Sequence, residues 1–345
     1  MTAGSLTDFV DPYLDVSWGE LGARVEPAAG RATVTLGYPS AGLAEGLAAQ
    51  LSERLEPGVA VDLKFEVPPG GRAGKTVPGV QHVIAVASGK GGVGKSTTAV
   101  NMALALSAEG AKVGLLDADI YGPSLGMMLG VPSDRRPEVR DGNRFVPIKA
   151  LGLKAMSMSF LVTDKTPMVW RGPMASGALQ QLINQTEWSD LDYLIVDMPP
   201  GTGDIQLTLS QSVPVSGAVI VTTPQDIALL DAKKAIEMFA KVDIPVLGVL
   251  ENMSVHLCPS CGHQSHIFGE GGAARIAAEY DQVLLGALPL DISIRELADS
   301  GTPSVAADPD SAVSALYRDA ARHLAARLWQ QADKSAAPTI RFADD

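Results

Sequence analysis

A glycine-rich run in the first third of the chain has the residue types and spacing that bind phosphate groups. It matches G-x-x-x-x-G-K-[ST], a pattern in which glycines let successive backbone N–H groups turn toward phosphate oxygens. The run consists of Gly89, Lys90, Gly91, Gly92, Val93, Gly94, Lys95, Ser96 and Thr97. Lys95 has the position that reaches the β- and γ-phosphates, and the Ser96 hydroxyl has the position that ligates Mg²⁺. The sequence therefore predicts a nucleoside triphosphate site with Lys95 in a catalytic role.

Acidic residues follow two apolar runs that have the character of buried strands. Asp117 and Asp119 close one run, and Asp197 closes the other. Ligands of open α/β sheets bind at the carboxyl ends of the strands, so these carboxylates are expected to converge on the phosphates. Capping of the turns that follow is the alternative role. Gly201 and Gly203 give the loop after Asp197 the freedom to respond to a γ-phosphate.

The two cysteines of the chain, Cys258 and Cys261, form a C-x-x-C motif that can turn two thiolates toward one metal. Residue chemistry alone leaves four interpretations open. A second chain could complete the four thiolates that an iron–sulfur cluster normally takes. Alternatively, His263 and His266 could complete a tetrahedral zinc site within one chain. A redox dithiol, which normally begins a helix, and a pair of unligated thiols are the other two.

The elements that must position these residues follow a regular alternation from Val80 onward. Predicted strands are Val83–Ala87, Val113–Asp117, Tyr193–Asp197, Ala218–Thr222, Val246–Leu250 and Leu284–Leu288. Predicted helices are Lys95–Glu109, Gly172–Gln185, Asp226–Lys241, Gly271–Tyr280 and Asp310–Gln331. Several strands are apolar throughout, which indicates helices on both sides of them. The alternation predicts an α/β fold with a mostly parallel sheet and helices on both faces.

The N-terminal part has a different pattern, which predicts a small α+β domain. Ala32–Tyr38 and Val59–Phe65 alternate like half-buried strands, and Gly42–Leu55 has leucines at four-residue spacing. The stretch after it is dense in proline and glycine, which is typical of a linker. The expected organisation is a small domain over residues 1–67, a linker over 68–79, a main domain over 80–333 and a loose tail over 334–345.

Composition narrows the class of protein further. The 345 residues include 27 basic and 39 acidic ones, a net charge of −12 that disfavours nucleic-acid partners. We expect no transmembrane helix, because no apolar run is long enough, and no secretory signal, because Met1–Asp8 lacks a basic and an apolar region. Two cysteines exclude a disulfide framework and favour a reducing, cytoplasmic setting.

The lysine at the second position of the glycine-rich run, Lys90, is typical of one group of phosphate-binding proteins. With Lys90 there, the sequence resembles the deviant Walker A group of P-loop NTPases (SIMIBI type), which includes MinD, ParA and the nitrogenase iron protein. The resemblance implies that Lys90 reaches across a homodimer to the partner's ATP. It also implies that Asp119 activates the attacking water with Asp117 nearby, and that Asp197 holds Mg²⁺ through water. By the same resemblance, Asn252 reads the adenine edge.

A more specific resemblance rests on several motifs that occur together and in order. They are the glycine-rich run, Asp117–Ser124, Met168–Met174, Val196–Asp204 and Cys258–Cys261. Together they are similar to the Mrp/ApbC family of iron–sulfur cluster carriers over about residues 80–330. The family implies a [4Fe–4S] cluster bridged by the Cys258 and Cys261 pairs of a homodimer, delivered to apo iron–sulfur proteins, with slow ATP hydrolysis. Residues 1–67 resemble more weakly the MIP18-like domain and contain no cysteine.

Two other functions compete with cluster carriage. A MinD/ParA-like positioning ATPase would use the cysteines for structural zinc, but its membrane-binding members end in a basic amphipathic helix. Here acidic residues accompany Arg318, Arg322 and Arg327, and the chain ends in Asp344 and Asp345. We therefore expect no membrane partner. A metabolic P-loop kinase is the second competitor, and it leaves the C-x-x-C motif unexplained.

Overall fold

The computed structural model describes residues 4–53, 55, 59–70, 76–161, 172–203, 206–208, 210 and 213–335. Contacts divide the chain into two units. One unit comprises Met1–Gly70 with Ala325–Asp345, and the other comprises Gly71–Leu324. The domain boundaries inferred from the sequence stay predictions, and Ala325 onward groups with the smaller unit rather than with the larger one.

The smaller unit contains a three-stranded sheet and short helices. Its elements are α1 (Gly4–Thr7), β1 (Arg24–Ala28), β2 (Arg31–Leu36), α2 (Ala44–Ser52) and β3 (Ala60–Phe65). Strand β2 lies in the centre, antiparallel to β1 and parallel to β3. Asp11 is buried in this unit and accepts hydrogen bonds from Trp18 Nε1 at 3.0 Å and from the Tyr38 hydroxyl at 2.9 Å. These bonds satisfy a carboxylate that would otherwise be costly to bury.

The larger unit is built on an eight-stranded sheet, with two small hairpins beside it. The remaining strands are β4 (Val80–Ala87), β5 (Val113–Asp117), β6 (Glu138–Arg140), β7 (Arg144–Val146), β8 (Ile148–Ala150), β9 (Leu153–Ser157), β10 (Leu191–Asp197), β11 (Gly217–Thr222), β12 (Val246–Glu251), β13 (His256–Leu257), β14 (Gln264–Ser265) and β15 (Leu284–Ala287). The order in the large sheet is β15-β12-β11-β4-β10-β5-β9-β8. All neighbours are parallel except β8 and β9.

Helices lie between these strands in the chain and after the last of them. They are α3 (Lys95–Ala108), α4 (Leu125–Met128), α5 (Gly172–Gln185), α6 (Asp226–Lys241), α7 (Gly272–Glu279), α8 (Ile292–Asp299), α9 (Ser304–Ala307) and α10 (Ala312–Ser335). The predicted fold class is confirmed: strands β5 and β11 are buried at every residue, as sheet strands covered on both faces must be. Among the described helices, none combines the length and hydropathy needed to cross a membrane.

Helix α3 is fixed at its C-terminal end and near its middle, which matters because it begins at the glycine-rich run. At its end, Glu109 is fully buried and its Oε1 accepts hydrogen bonds from Arg318 Nε at 2.7 Å and Arg322 Nη2 at 2.6 Å. Within the helix, Asn101 Oδ1 accepts from the backbone N–H of Val305 at 3.1 Å. A buried carboxylate held by two guanidinium groups fixes the helix rotation and therefore the position of Lys95.

Some predictions fall on residues outside the described ones. Positions 162–171 include most of the Met168–Met174 motif, and 336–345 include most of the predicted tail. Positions 71–75 of the predicted linker and Asp204 also lie outside the described residues.

Candidate functional site

The carboxyl ends of β4, β5 and β10 meet at one edge of the sheet, where a cleft of about 250 Å³ opens. Its lining combines the glycine-rich run with three neighbouring loops: Ser88, Lys90, Gly91, Gly92, Gly94, Lys95, Ser96, Thr97, Asp119, Ser124, Met128 and Pro200. Helix α3 begins at Lys95 on the floor of this cleft. Its N-terminal N–H groups and dipole favour an anion there, so the cleft suits a phosphate chain.

Two glycines of the run are required by close contacts. A Cβ atom on Gly89 would lie 2.1 Å from the backbone oxygen of Asp231 in α6. A Cβ atom on Gly94 would lie 2.1 Å from the Asn252 Nδ2 atom, and Gly94 has a φ of +81°. Both distances are shorter than real Cβ contacts, so these positions require glycine.

Lys95 and Asp197 form a buried ion pair below the cleft. The Lys95 ammonium donates to Asp197 Oδ1 and lies 3.2 Å from the Ser96 hydroxyl. Burial raises the pKa of Asp197 from its ordinary value, and the nearby Lys95 opposes that shift. Asp197 Oδ2 is buried and has no hydrogen-bond partner within the described part of the chain. An unpartnered carboxylate oxygen beside a hydroxyl is a donor set that suits Mg²⁺ and its bound water.

Asp117 and Asp119, which the sequence analysis expected to converge on the phosphates, have different surroundings. Asp119 lines the cleft. Asp117 is 1% exposed, and its oxygens accept from the backbone of Asp119, Ser124 and Leu125 at 3.1 to 3.2 Å and from the Ser157 hydroxyl at 3.2 Å. Burial, followed by the charge of Asp197, raises the pKa of Asp117 to about 7. Asp117 therefore shapes the loop that presents Asp119.

Lys90 is half-buried at the rim of the cleft. Its ammonium lies 3.4 Å from Oε1 of Gln225, which precedes helix α6. Gly201, in the loop after Asp197, donates its N–H to the backbone oxygen of Ser88 at 3.0 Å. The Ser88 hydroxyl donates to the backbone oxygen of Lys90 at 2.9 Å. These contacts join the glycine-rich run to the loop after Asp197.

Asn252 lies directly after β12 and is 7% exposed. Its Nδ2 donates to the backbone oxygen of Val93 at 2.9 Å, so its amide contacts the backbone of the glycine-rich run. This bond uses one of the two amide hydrogens and does not involve the amide oxygen.

The cysteines lie at the tip of a small hairpin formed by β13 and β14. The Cys258 N–H donates to the backbone oxygen of His263 at 2.9 Å, and the Gly262 N–H donates to the backbone oxygen of Cys258 at 2.8 Å. Gly262 has a φ of +70°, which closes the turn. Cys258 is half-buried and Cys261 is exposed, so a ligand bound between them remains accessible from solvent.

The turn also lowers the pKa of the Cys258 thiol. The backbone N–H of Ser260 and then that of Cys261 hydrogen-bond the Cys258 thiol and lower its pKa below the ordinary value. Because the thiolate is both the nucleophile and the metal ligand, the lowered pKa favours the reactive form of Cys258.

This lowered pKa predicts the pH dependence of Cys258 alkylation. In cluster-free protein, the rate with iodoacetamide should reach half its maximum at a pH below the ordinary pKa of a thiol, because the thiolate persists to lower pH. Ser260→Pro removes the main donor and should move the midpoint upward, whereas Ser260→Ala keeps the N–H and should leave it nearly unchanged. Peptide mass spectrometry across a pH series measures both. A midpoint at or above the ordinary value contradicts the prediction.

The histidines considered as zinc ligands do not join the cysteines. Within the described residues, no group of three or more His, Cys, Asp or Glu side chains is placed to hold a metal ion. His266 Nδ1 lies 3.1 Å from the backbone oxygen of Ser254, and its Nε2 lies 3.7 Å from Glu270. One chain thus offers two thiols as metal ligands at this hairpin.

Sequence reasoning missed several residues of the site. Ser88, Met128 and Gln225 contact the cleft or Lys90 without having a motif of their own, and Pro200 lies within the Val196–Asp204 motif but was not singled out. Ser124 lies within the motif after Asp117, so its position was available as a signal. Ser157, which supports Asp117, comes from a strand that was not predicted.

The chain is similar to several known proteins. The family described as ParA: NUBPL iron-transfer P-loop NTPase matches residues 79–325. The chain is 62% identical over 253 residues to an iron-sulfur cluster carrier protein of Pseudomonas fragi, across 72% of this chain and 88% of the relative. A solved nucleotide-binding protein of Archaeoglobus fulgidus in complex with ADP is similar with a TM-score of 0.58 and 38% identity, across 65% of this chain and 88% of that one. The cell division ATPase MinD of Pyrococcus furiosus has a TM-score of 0.53 at 22% identity, across 70% of this chain and 98% of that one, and indicates the fold alone.

Proposed function

Since the chain belongs to the ParA/NUBPL family of iron-transfer P-loop NTPases, we propose that it binds iron–sulfur clusters and transfers them to apoproteins, with ATP bound and slowly hydrolysed at a homodimer junction. The resemblance found from the sequence motifs is thereby confirmed at the level of the family. The observation that carries the proposal is the accessible Cys258–Cys261 hairpin in the same unit as a complete phosphate-binding cleft.

The cluster is proposed to be a [4Fe–4S] cargo shared by two chains. Such clusters normally take four thiolates, and one chain offers Cys258 and Cys261 only. A twofold dimer brings two equal pairs together on its axis. Carriage needs a cluster that is held but removable, and two exposed hairpins provide less enclosure than a four-cysteine cage within one chain. Recipients are apo iron–sulfur proteins, and a cytoplasmic setting stays a prediction.

The chain's own groups are proposed to hold ATP in stated roles. Backbone N–H groups of Gly89–Thr97 contact phosphate oxygens, and the Lys95 ammonium exchanges Asp197 for the β- and γ-phosphates. Asp119 orients the attacking water, with Asp117 fixing the loop that carries it. The Asn252 amide oxygen and second amide hydrogen, which the bond to Val93 does not use, contact the adenine edge. Lys90 leaves Gln225 and stabilises developing charge at the nucleotide of the second chain.

Mg²⁺ fits the same edge of the site. The Ser96 hydroxyl would hold it directly, and Asp197 would hold it through water. When bound, it neutralises charge on the β- and γ-phosphate oxygens.

Cluster transfer to a recipient tests the function directly. Anaerobically reconstituted protein should restore activity to an apo [4Fe–4S] dehydratase faster than free iron and sulfide at equal concentration. An iron chelator that does not reach a protein-bound cluster should stop the free-ion reaction and leave the protein-mediated one. Equal inhibition of both reactions would mean that iron passes through solution and that the chain is not a carrier.

The positioning ATPase with structural zinc is not favoured. It needs at least two further ligands beside Cys258 and Cys261, and the described residues place none there.

A further inference from the structure

Three residues that follow β12, Asn252–Ser254, lie between the phosphate-binding cleft and the cysteine hairpin. We refer to them as the connecting segment. At its first residue, the buried Asn252 amide donates to the backbone oxygen of Val93 at 2.9 Å. The same Nδ2 occupies the space that Gly94 leaves by lacking a side chain. The segment therefore contacts the backbone of the glycine-rich run directly.

At its last residue, the connecting segment holds the base of the hairpin. The Ser254 N–H and hydroxyl both donate to the backbone oxygen of Leu288 at 2.9 Å. The Ser254 oxygen lies 3.1 Å from His266 Nδ1, and because a carbonyl only accepts, that nitrogen carries the proton. Cys258 and Cys261 lie between Ser254 and His266 in the chain. The second leg is thus fixed to Ser254 through His266, and the first leg continues directly from Ser254 in the chain. Leu290 also holds the first leg, since it donates its N–H to the Val255 oxygen at 2.8 Å and its own oxygen lies 3.1 Å from His256 Nδ1.

The middle residue is strained. Met253 has a φ of +57°, in the left-handed region that a residue with a Cβ atom rarely adopts. Such a conformation persists only when the neighbours on both sides hold it. Here Asn252 is held by Val93 and Ser254 by Leu288. The Asn252 backbone N–H also donates to the backbone oxygen of Thr222 at 2.7 Å. The strained residue therefore lies between two anchored neighbours, one in contact with the glycine-rich run and one in contact with the hairpin.

We propose that Asn252 is a positioning residue that couples the glycine-rich run to the cysteine hairpin, so that triphosphate binding changes how Cys258 and Cys261 are presented. Phosphate oxygens engage the N–H groups of the run, the backbone of Val93 and Gly94 adjusts, and the Asn252 amide follows it. Met253 and Ser254 transmit the change to both legs of the hairpin. This inference rests on the proposed function, because it links the ATP site to the cluster ligands.

The test uses full-length, cluster-free protein and measures the alkylation rates of Cys258 and Cys261 with and without saturating Mg–ATP. Wild-type protein should show a rate ratio of at least about fivefold, a typical size for coupling between two sites. Asn252→Ala and Asn252→Leu should bring the ratio to one, since both lack the amide donor and the second keeps the volume. ATP is titrated for each variant so that every measurement is made at saturation.

Asn143→Ala is the matched control, because Asn143 is exposed in the turn between β6 and β7. It should keep the wild-type ratio. A merely structural role of Asn252 would change the basal rates and leave the ratio in place, which overturns the proposal. A wild-type ratio of one also overturns it, as does loss of ATP binding in both Asn252 variants, which would assign the residue to the nucleotide alone. No iron is present, so none of these outcomes decides whether the chain carries clusters.

Discussion

Cys258→Ser or Cys261→Ser will leave the anaerobically reconstituted protein without its iron–sulfur cluster. The change removes one of the two thiolates that a chain contributes, and twofold symmetry removes the equivalent thiolate from its partner. A serine hydroxyl stays protonated at neutral pH and is a poor ligand for iron. Iron should fall from about two atoms per chain, half of a four-iron cluster, to background. Iron and sulfide analysis with visible absorbance measures the loss.

The loss should be confined to the cluster. Neither cysteine lines the phosphate-binding cleft, so ATP binding should be retained in both variants. Ser260→Ala, between the two cysteines, is the control and should keep the full iron content because the backbone N–H remains. Full iron in either cysteine variant would show that the cluster is bound elsewhere.

Lys95→Ala will abolish most ATP hydrolysis. Lys95 is the buried cation at the floor of the cleft, and its ammonium is proposed to move from Asp197 to the phosphates. Removing one preorganised group that stabilises transition-state charge typically lowers the rate about 10²–10³-fold. Phosphate release under saturating Mg–ATP measures the effect. Lys112→Ala, which removes an exposed lysine paired with Asp190, should keep the wild-type rate.

A second variant separates catalysis from folding. Lys95→Ala also leaves Asp197 buried without its cation, which destabilises the protein. Ser96→Ala keeps that ion pair and removes the proposed Mg²⁺ ligand together with its 3.2 Å contact to the Lys95 ammonium. Its rate should therefore fall while the thermal midpoint stays near that of wild type. Unchanged turnover in both variants would exclude the cleft as the site of hydrolysis.

Much of the fold could be predicted because its signals are local. Strand β5 has the predicted bounds, Val113–Asp117. A short apolar run that ends in an aspartate is typical of a parallel strand covered on both faces. The phosphate-binding run could be identified because its glycines, lysine and hydroxyl are contiguous. The end of α3 and the start of α6 agree with the pattern within one residue.

The rest depends on contacts between distant residues. Strand β9, Leu153–Ser157, was missed because it is short and contains Lys154 between buried positions, yet its Ser157 supports Asp117. Strands β13 and β14 have two residues each, too few for an alternating pattern. The Asn252–Val93 bond joins residues 159 positions apart, and only the sheet order brings them together.

Native mass spectrometry of the full-length protein, reconstituted under anaerobic conditions with Mg–ATP, tests the central claim most directly. A cluster shared through Cys258 and Cys261 predicts a single species with the mass of two chains and one [4Fe–4S] unit, which disappears when either cysteine is serine. A single chain carrying its own complete metal site, whether iron–sulfur cluster or zinc, would contradict the shared cluster and with it the proposed mechanism of carriage.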